Sequence, residues 1–397
     1  MVAYLQYFML GMLLSVMLVQ EFSWKIANVF MALVIVSFLL LLFKSPQARI
    51  NFLSNKLVLM AWGCLAISLI PSVVFSVNIG HSFHQYMKIV FYWPIVFAVV
   101  TAVRDKVQLL RYFTLLVFGF LVVECLYAFI NWYVLGGTVR VGGFGPLINI
   151  FAAYICMYSV LLYVAILDPH FSNKQKSCVG LALIIYLMGT LAPNSRAAWL
   201  AMAFSFFVIG IPYFFKSKKI AMGILSLFII CGLAFVYNPY LHSRFVSITN
   251  ITTDASNTAR LYAWKGAGRA FLQHPFSGVG LRCWELTPYK DYQVPNSNRS
   301  IRLPHAHNNV INLAAESGIL AVCGYLFLQL SFVWIAIGGL RKRFNPYDMM
   351  ILGVVLVYNC CGMFDNVFAS PTIMRTYWLL MAVLIVFKDY YLKDYDK

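Results

Sequence analysis

The sequence predicts an all-α polytopic membrane protein of about twelve transmembrane helices, with one large loop outside the membrane. Three observations carry this. First, the 397 residues are 62% hydrophobic and only 11% charged, with a mean hydropathy of +0.79, whereas soluble domains carry roughly 25% charged residues. Second, apolar runs recur that approach or exceed the ~20 residues needed to cross hydrocarbon. Third, the connections between runs alternate between basic and base-poor. Helices are expected because they satisfy their backbone groups internally, whereas barrel strands would read as ~10-residue alternations.

The first run, AYLQYFMLGMLLSVMLV, has no basic segment before it and reads as a span rather than a cleavable signal. In order, the spans fall near 3–19, 24–43, 56–77, 87–103, 112–135, 148–167, 177–193, 197–215, 220–237, 309–338, 349–364 and 372–388. One set of connections is short and basic: KSPQARINFLSNK, RDKVQLLR, SNKQK, KSKK, RKR and the tail KDYYLKDYDK. By the positive-inside rule both termini are cytoplasmic, and the long segment 238–308 lies outside. Three parts follow: a nine-helix transmembrane region (1–237), an external loop domain with amphipathic helices (238–308), and a three-helix transmembrane region (309–397). No internal repeat is evident, which counts against inverted-repeat transporters.

Seventeen of the thirty Lys and Arg fall on the cytoplasmic side, so much of the +17 net charge reports topology. The external loop adds its own signal, with eight basic side chains against three acidic ones. A basic surface outside the membrane calls for an anionic partner. Nucleic acid is excluded by compartment; a phosphorylated lipid or glycolipid is the expected partner, and attraction to anionic membrane lipids is the simpler alternative. Eight of nine cysteines lie in apolar spans and only Cys283 in the loop, which excludes a disulfide framework there. Within the loop, TARLYAWKGAGRAFLQHP is expected as an amphipathic helix stopping before Pro275. Its apolar face would be Leu261, Trp264, Ala267, Phe271 and Leu272. GVG (278–280) and PNSNRS (295–300) are turn chemistry.

Several residues are candidates for chemistry. Arg196, in LAPNSRAAWLAM, sits at an external span junction, where an arginine is costly and its planar fork suits a phosphate; snorkelling to headgroups is the alternative. Arg260 and Arg269 stand near the two ends of the loop helix, where a solvated face or salt bridge is the plainer reading. Arg140 lies in the Gly-rich GGTVRVGGFG, which could form a backbone nest for phosphate or simply a flexible connection. Lys88 is placed at an external helix start. In RLPHAHNNVINLAAESG, a helix opening at Pro304 would carry Asn308, Asn312 and Glu316 on one face and leave His307 at its mouth. A histidine there suits a general base, or a plain interfacial hydrogen bond. His305-x-His307 has no third ligand at zinc-like spacing, so no metal is expected, and no cofactor. Glu124 is the lone acid deep in a span, expected to pair with an arginine or with backbone groups. Asp365, Asn366 and Arg375 read as structural polar contacts at the last external turn. These parts fit glycosyl transfer from a lipid diphosphate: cations hold a good leaving group, and a histidine takes the proton of the attacking hydroxyl.

The stretches ARLYAWKGAGRAFLQHPFSGVGL and HNNVINLAAESG resemble the O-antigen ligase/polymerase superfamily of bacterial envelope enzymes. The family pattern is His-Asn, nine residues, then GxxG; here His307-Asn308 is followed at that distance by Gly318, with Ala321 in place of the second glycine. A small residue there was expected to permit close helix packing. The resemblance implies a GT-C-like fold and a metal-independent, inverting transfer of O-polysaccharide from undecaprenyl diphosphate to the lipid A-core of lipopolysaccharide. It implies His307 as the base and Arg196 and Arg260 as diphosphate ligands, with His305 and Asn308 supporting, in a bacterial inner membrane protein whose site faces the periplasm. An O-antigen polymerase is the alternative, and a lipid or polysaccharide transporter a further one.

Overall fold

The computed structural model describes residues 1–248, 254–293 and 300–395. Among these, the helices are α1 (Val2–Val19), α2 (Trp24–Lys44), α3 (Pro46–Leu53), α4 (Lys56–Ser68), α5 (Ile70–Val74), α6 (Ile79–Met87), α7 (Ile95–Ala102), α8 (Val107–Val134) and α9 (Ile148–Leu167). They continue with α10 (Asn173–Leu191), α11 (Arg196–Phe214), α12 (Lys218–Tyr237), α13 (Pro239–Val246), α14 (Ala255–Gln273), α15 (Asn309–Lys342), α16 (Pro346–Gly362) and α17 (Pro371–Tyr395). A short antiparallel ladder, Asp291–Gln293 against Ser300–Arg302, is the one strand pair among the described residues.

Among the described residues, nine helical spans are long and apolar enough to cross a membrane, and α16 is a shorter apolar helix. With α10 and α12, a helix stands at each of the twelve expected positions. The third span breaks between α4 and α5, where Pro71 sits in the first turn of α5. The fourth begins earlier than expected, at Ile79, and passes through a π-helical turn, Lys88–Tyr92, before Pro94. Trp93 N donates to Lys88 O at 2.9 Å, the wider i to i+5 closure of a π-turn; Pro94 has no N–H to continue the ladder.

Helices α9 and α17 are enclosed almost all round. The outer helices turn residues such as Phe43, Leu115, Leu116, Leu330 and Trp334 outward, an apolar belt suited to hydrocarbon. Local starts follow the sequence: Ser172 and Gln175 form a reciprocal capping box at α10, and Asn345 caps α16 ahead of Pro346.

Two expectations change. The buried stripe of α14 is Ala263, Ala267 and Ala270, while Leu261 and Leu272 are exposed. Small residues let α14 lie close along α15, and Trp264 Nε1 donates to Ala306 O at 2.8 Å. Helix α15 starts at Asn309, one turn later than expected, because Asn308 is its N-cap and accepts from Ile311 N. Asn312 and Glu316 do share a buried face.

The first glycine of the family pattern has a backbone task. Gly318 interrupts α15 with φ 75° and ψ −177°, a conformation open to glycine and strained for other residues. Its break frees backbone groups that the 275–280 turn takes up: Val279 N donates to Ala315 O (3.0 Å), Gly280 N to Glu316 O (2.9 Å), and Ile319 N to Pro275 O (2.8 Å). A Cβ on Gly318 would stand 2.3 Å from Phe276 backbone atoms. This interlock ties the loop domain to the bundle directly below His307.

Candidate functional site

At the end of the bundle opposite the basic connectors, a cavity of about 130 Å³ gathers Arg140, Arg196, Arg244, Arg260, His307 and Asp365 from six segments. Arg196 opens α11, where the turn before it forces Asn194 to φ 49°. Its side chain is buried: Nη1 donates to the Ser247 carbonyl and hydroxyl (2.9 Å each), and Nη2 pairs with Asp254 at 3.1 Å. Burial works to raise the Asp254 carboxyl, but the Arg196 bond and the Asn257 N–H hold it below the usual range. Arg196 thus anchors the start of the loop domain while lining the cavity.

Arg140 comes from the glycine-rich connection. Its Nε donates to Pro193 O at 2.7 Å and its Nη2 to Asn149, so this connection is pinned rather than free. Burial, then the charges of Arg244 and Arg196, make its cationic form harder to hold. Arg260, on α14, is shifted the same way by burial first, with Asp365 opposing. The Nε groups of Arg244 and Arg260 are buried without a hydrogen-bond partner. Four guanidinium groups line the cavity and only Asp365 among its acids does.

The other wall is a triad. His307 sits at φ 49°, and its Nδ1 lies 3.3 Å from Asp365 Oδ1, off the line of a hydrogen bond. His305 Nε2 is 3.8 Å from the same oxygen. His305 Nδ1 accepts from His307 N at 3.2 Å, so the network assigns its proton to Nε2, toward Asp365. Burial, then His307, pushes His305 down to about 4, keeping it neutral. Burial alone would raise Asp365, yet the two histidines and the Asn366 N–H bring it down to about 2. A carboxylate facing His307 Nδ1 favours the proton there and leaves Nε2 with the free lone pair.

His305, His307 and Asp365 also bring three ligand atoms within 4.8 Å of one another. The third donor that spacing did not reveal thus comes from the turn after α16. The lone pair of His305 Nδ1 is already used by His307 N–H, so a metal on Nε2 would have to break that bond; the donor set suits proton handling better.

Of the residues expected from sequence, Arg140, Arg196, Arg260 and His307 line one cavity, with His305 beside it. Asn308 spends its side chain on the α15 cap and on Met363 O (3.1 Å). Lys88 is half-buried on the π-turn, within electrostatic range of Arg282 rather than in the cavity. Arg269 is exposed on α14, nine residues beyond Arg260 and roughly 13 Å along the axis, and does not line it. Arg375 is not part of the Asp365 turn cluster: it is buried, donates to Asn28 Oδ1 at 2.9 Å and lies over Tyr92. Sequence reasoning missed Arg244 and Asp365. Arg244 was visible as a loop charge behind the Asn238-Pro239 helix start, and Asp365 as a polar residue in an external turn, but neither has a periodic signal linking it to His307. The non-glycine residues with positive φ among those described are Asn194, Arg282 and His307; Asn194 and His307 line the cavity, as strain does at working sites, and Arg282 is within electrostatic range of His305.

Residues 181–326 match the family model described as O-antigen ligase. A comparison with curated proteins finds no match.

Proposed function

Given the match of residues 181–326 to the O-antigen ligase family, we propose that the cavity transfers a lipid-linked polysaccharide to a sugar hydroxyl, with undecaprenyl diphosphate as the donor carrier and the lipid A-core of lipopolysaccharide as acceptor. One observation carries this reading: four arginines, two with unpartnered buried Nε–H groups, converge on a cavity whose far wall is a His–Asp pair. Arg140, Arg196, Arg244 and Arg260 bind the diphosphate and take up its growing charge in a partly desolvated space. His307 Nε2 accepts the proton of the attacking hydroxyl. The acceptor oxygen bonds to the anomeric carbon as the carbon–diphosphate bond breaks, and its electron pair leaves with the diphosphate. Attack opposite the leaving group inverts the anomeric carbon. Asp365 keeps the Nδ1 proton in place and stabilises the imidazolium. The charge neutralised by arginines makes a metal unnecessary for this step.

The chain is read as an inner-membrane protein with both termini cytoplasmic and the cavity at the periplasmic face, since the basic connectors lie at the opposite end. The test is transfer by the purified protein from a lipid-diphosphate glycan to rough lipopolysaccharide. Wild type should form capped product without added metal, and His307→Ala should not; full activity of His307→Ala, or abolition of wild-type activity by a chelator, overturns the mechanism. Deleting the gene separates ligase from polymerase. Uncapped core with accumulated lipid-linked polymer supports the ligase, and core capped by a single repeat supports the polymerase.

A further inference from the structure

A second polar cavity, of about 10 Å³, lies beside the glycine-rich connection, among Gln20, Glu21, Glu124, Tyr154, Tyr158 and Thr376. Gln20 and Glu21 follow α1, and Glu124 is on α8. Both carboxylates are buried: Glu124 is fully enclosed and Glu21 is 9% exposed. Glu124 accepts from Phe144 N at 3.1 Å and from the Tyr154 hydroxyl at 2.6 Å, so both its oxygens are engaged as a carboxylate's would be. Glu21 Oε1 and Gln20 Oε1 are buried with no partner, as is the Tyr158 hydroxyl on the same lining, and Gln20 is itself only 9% exposed. Among the described residues, no Lys, Arg or His lines the space. Unsatisfied acceptors and two acids, with no cationic side chain, form the reverse of the arginine cavity.

We propose that Glu21, Glu124 and the Gln20 amide oxygen bind one hard, oxygen-seeking cation of the Na⁺ or Ca²⁺ class. All-oxygen donors with two carboxylates suit such ions and not soft metals. The volume, near one water-sized probe, requires an ion that sheds its shell, which disfavours Mg²⁺. The two buried carboxylates share one small space, and a bound cation removes the penalty of holding them there together. The site also reaches the connection carrying Arg140. A Cβ on Gly143 would stand 2.0 Å from Glu124 Oε1, and one on Gly145 2.5 Å from Glu21 O. Glycine therefore lets that backbone lie directly on the acids.

The full-length protein in detergent is unfolded thermally at pH 8 in choline chloride, NaCl, CaCl₂ or MgCl₂ at matched ionic strength. NaCl or CaCl₂ is expected to raise Tm saturably by at least about 2 °C, and the better of the two identifies the ion. Glu21→Gln and Glu124→Gln should each be more stable than wild type in choline, because the carboxylate repulsion is gone, and should lose the response. An equal response to Mg²⁺ and Ca²⁺, a response that persists in both variants, or none in wild type overturns the site. A Tm that rises only as pH falls through 8 means that a proton takes the cation's place, and overturns it as well.

Discussion

The two polar cavities at this end of the molecule are opposite in sign, and the same glycine-rich connection borders both. Arg140 of that connection lines the first, where donors exceed acceptors; Phe144 N bonds Glu124 in the second, where acceptors exceed donors. At the other end of the bundle, Asp348 and Lys388 are buried as a 2.6 Å pair, with Lys388 also donating to Ile335 O. The contrast separates structural polarity from polarity arranged for something outside the chain. A buried pair closes its own account, whereas an excess of one sign within hydrocarbon persists only where an opposite charge arrives. Strain agrees: positive-φ Asn194 and His307 border the arginine cavity, and no such residue flanks Asp348.

The sharpest test of that contrast is His307→Ala, which should lower transfer by roughly 10²- to 10⁴-fold while the protein stays inserted and its Tm holds. Arg244→Gln should follow, lowering kcat/KM for the lipid-diphosphate donor about 10- to 100-fold, as one charge-assisted bond of ~1.5–3 kcal/mol is lost. If Arg244→Gln transfers normally, the arginine excess is only structural. The balanced end should respond in stability instead. Lys388→Met leaves Asp348 unpaired and should destabilise by about 3–5 kcal/mol, read as a fall in Tm, with transfer by the surviving folded protein unchanged.

Gly318→Ala tests the junction between loop domain and bundle. Strain of ~1–3 kcal/mol and the clash with Phe276 should lower Tm and expose the 275–280 turn to protease; unchanged proteolysis would mean that the interlock contributes little. The smallest effect concerns pH. His305 stays neutral in the fold down to about 4, against an ordinary value of 6.5. Between those values the unfolded chain binds the extra proton, so stability should fall as pH drops from about 6.5 to 4. His305→Gln should flatten this part of the profile; Asp365, held near 2, contributes only below its ordinary 3.8.

Much of the architecture was legible in the sequence. Apolar length located the helices, because the cost of unpaired backbone groups in hydrocarbon is decided within each segment of the chain. The α14 face was misread because alanines, not the larger apolar residues, make the close contact, and a hydrophobic pattern weights size. Gly318 stood out only as part of the family pattern, since a left-handed φ leaves no periodic trace. In the site, His307, Arg196, Arg260 and Arg140 stood out as polar groups at a membrane edge, which are costly enough to be conspicuous alone.

The class of the protein, the places where helices cross, the basic connections, and the conspicuous histidine and arginines all follow from the order of residues alone, because hydrocarbon makes each such choice locally expensive. Only the tertiary structure decided what those groups do to one another. It brought Asp365 to His307 across 58 positions, Arg244 to Arg140, and Glu21 to Glu124. Those encounters depend on how helices far apart in the chain pack and on where their ends meet, and no spacing rule along one strand of sequence encodes that geometry.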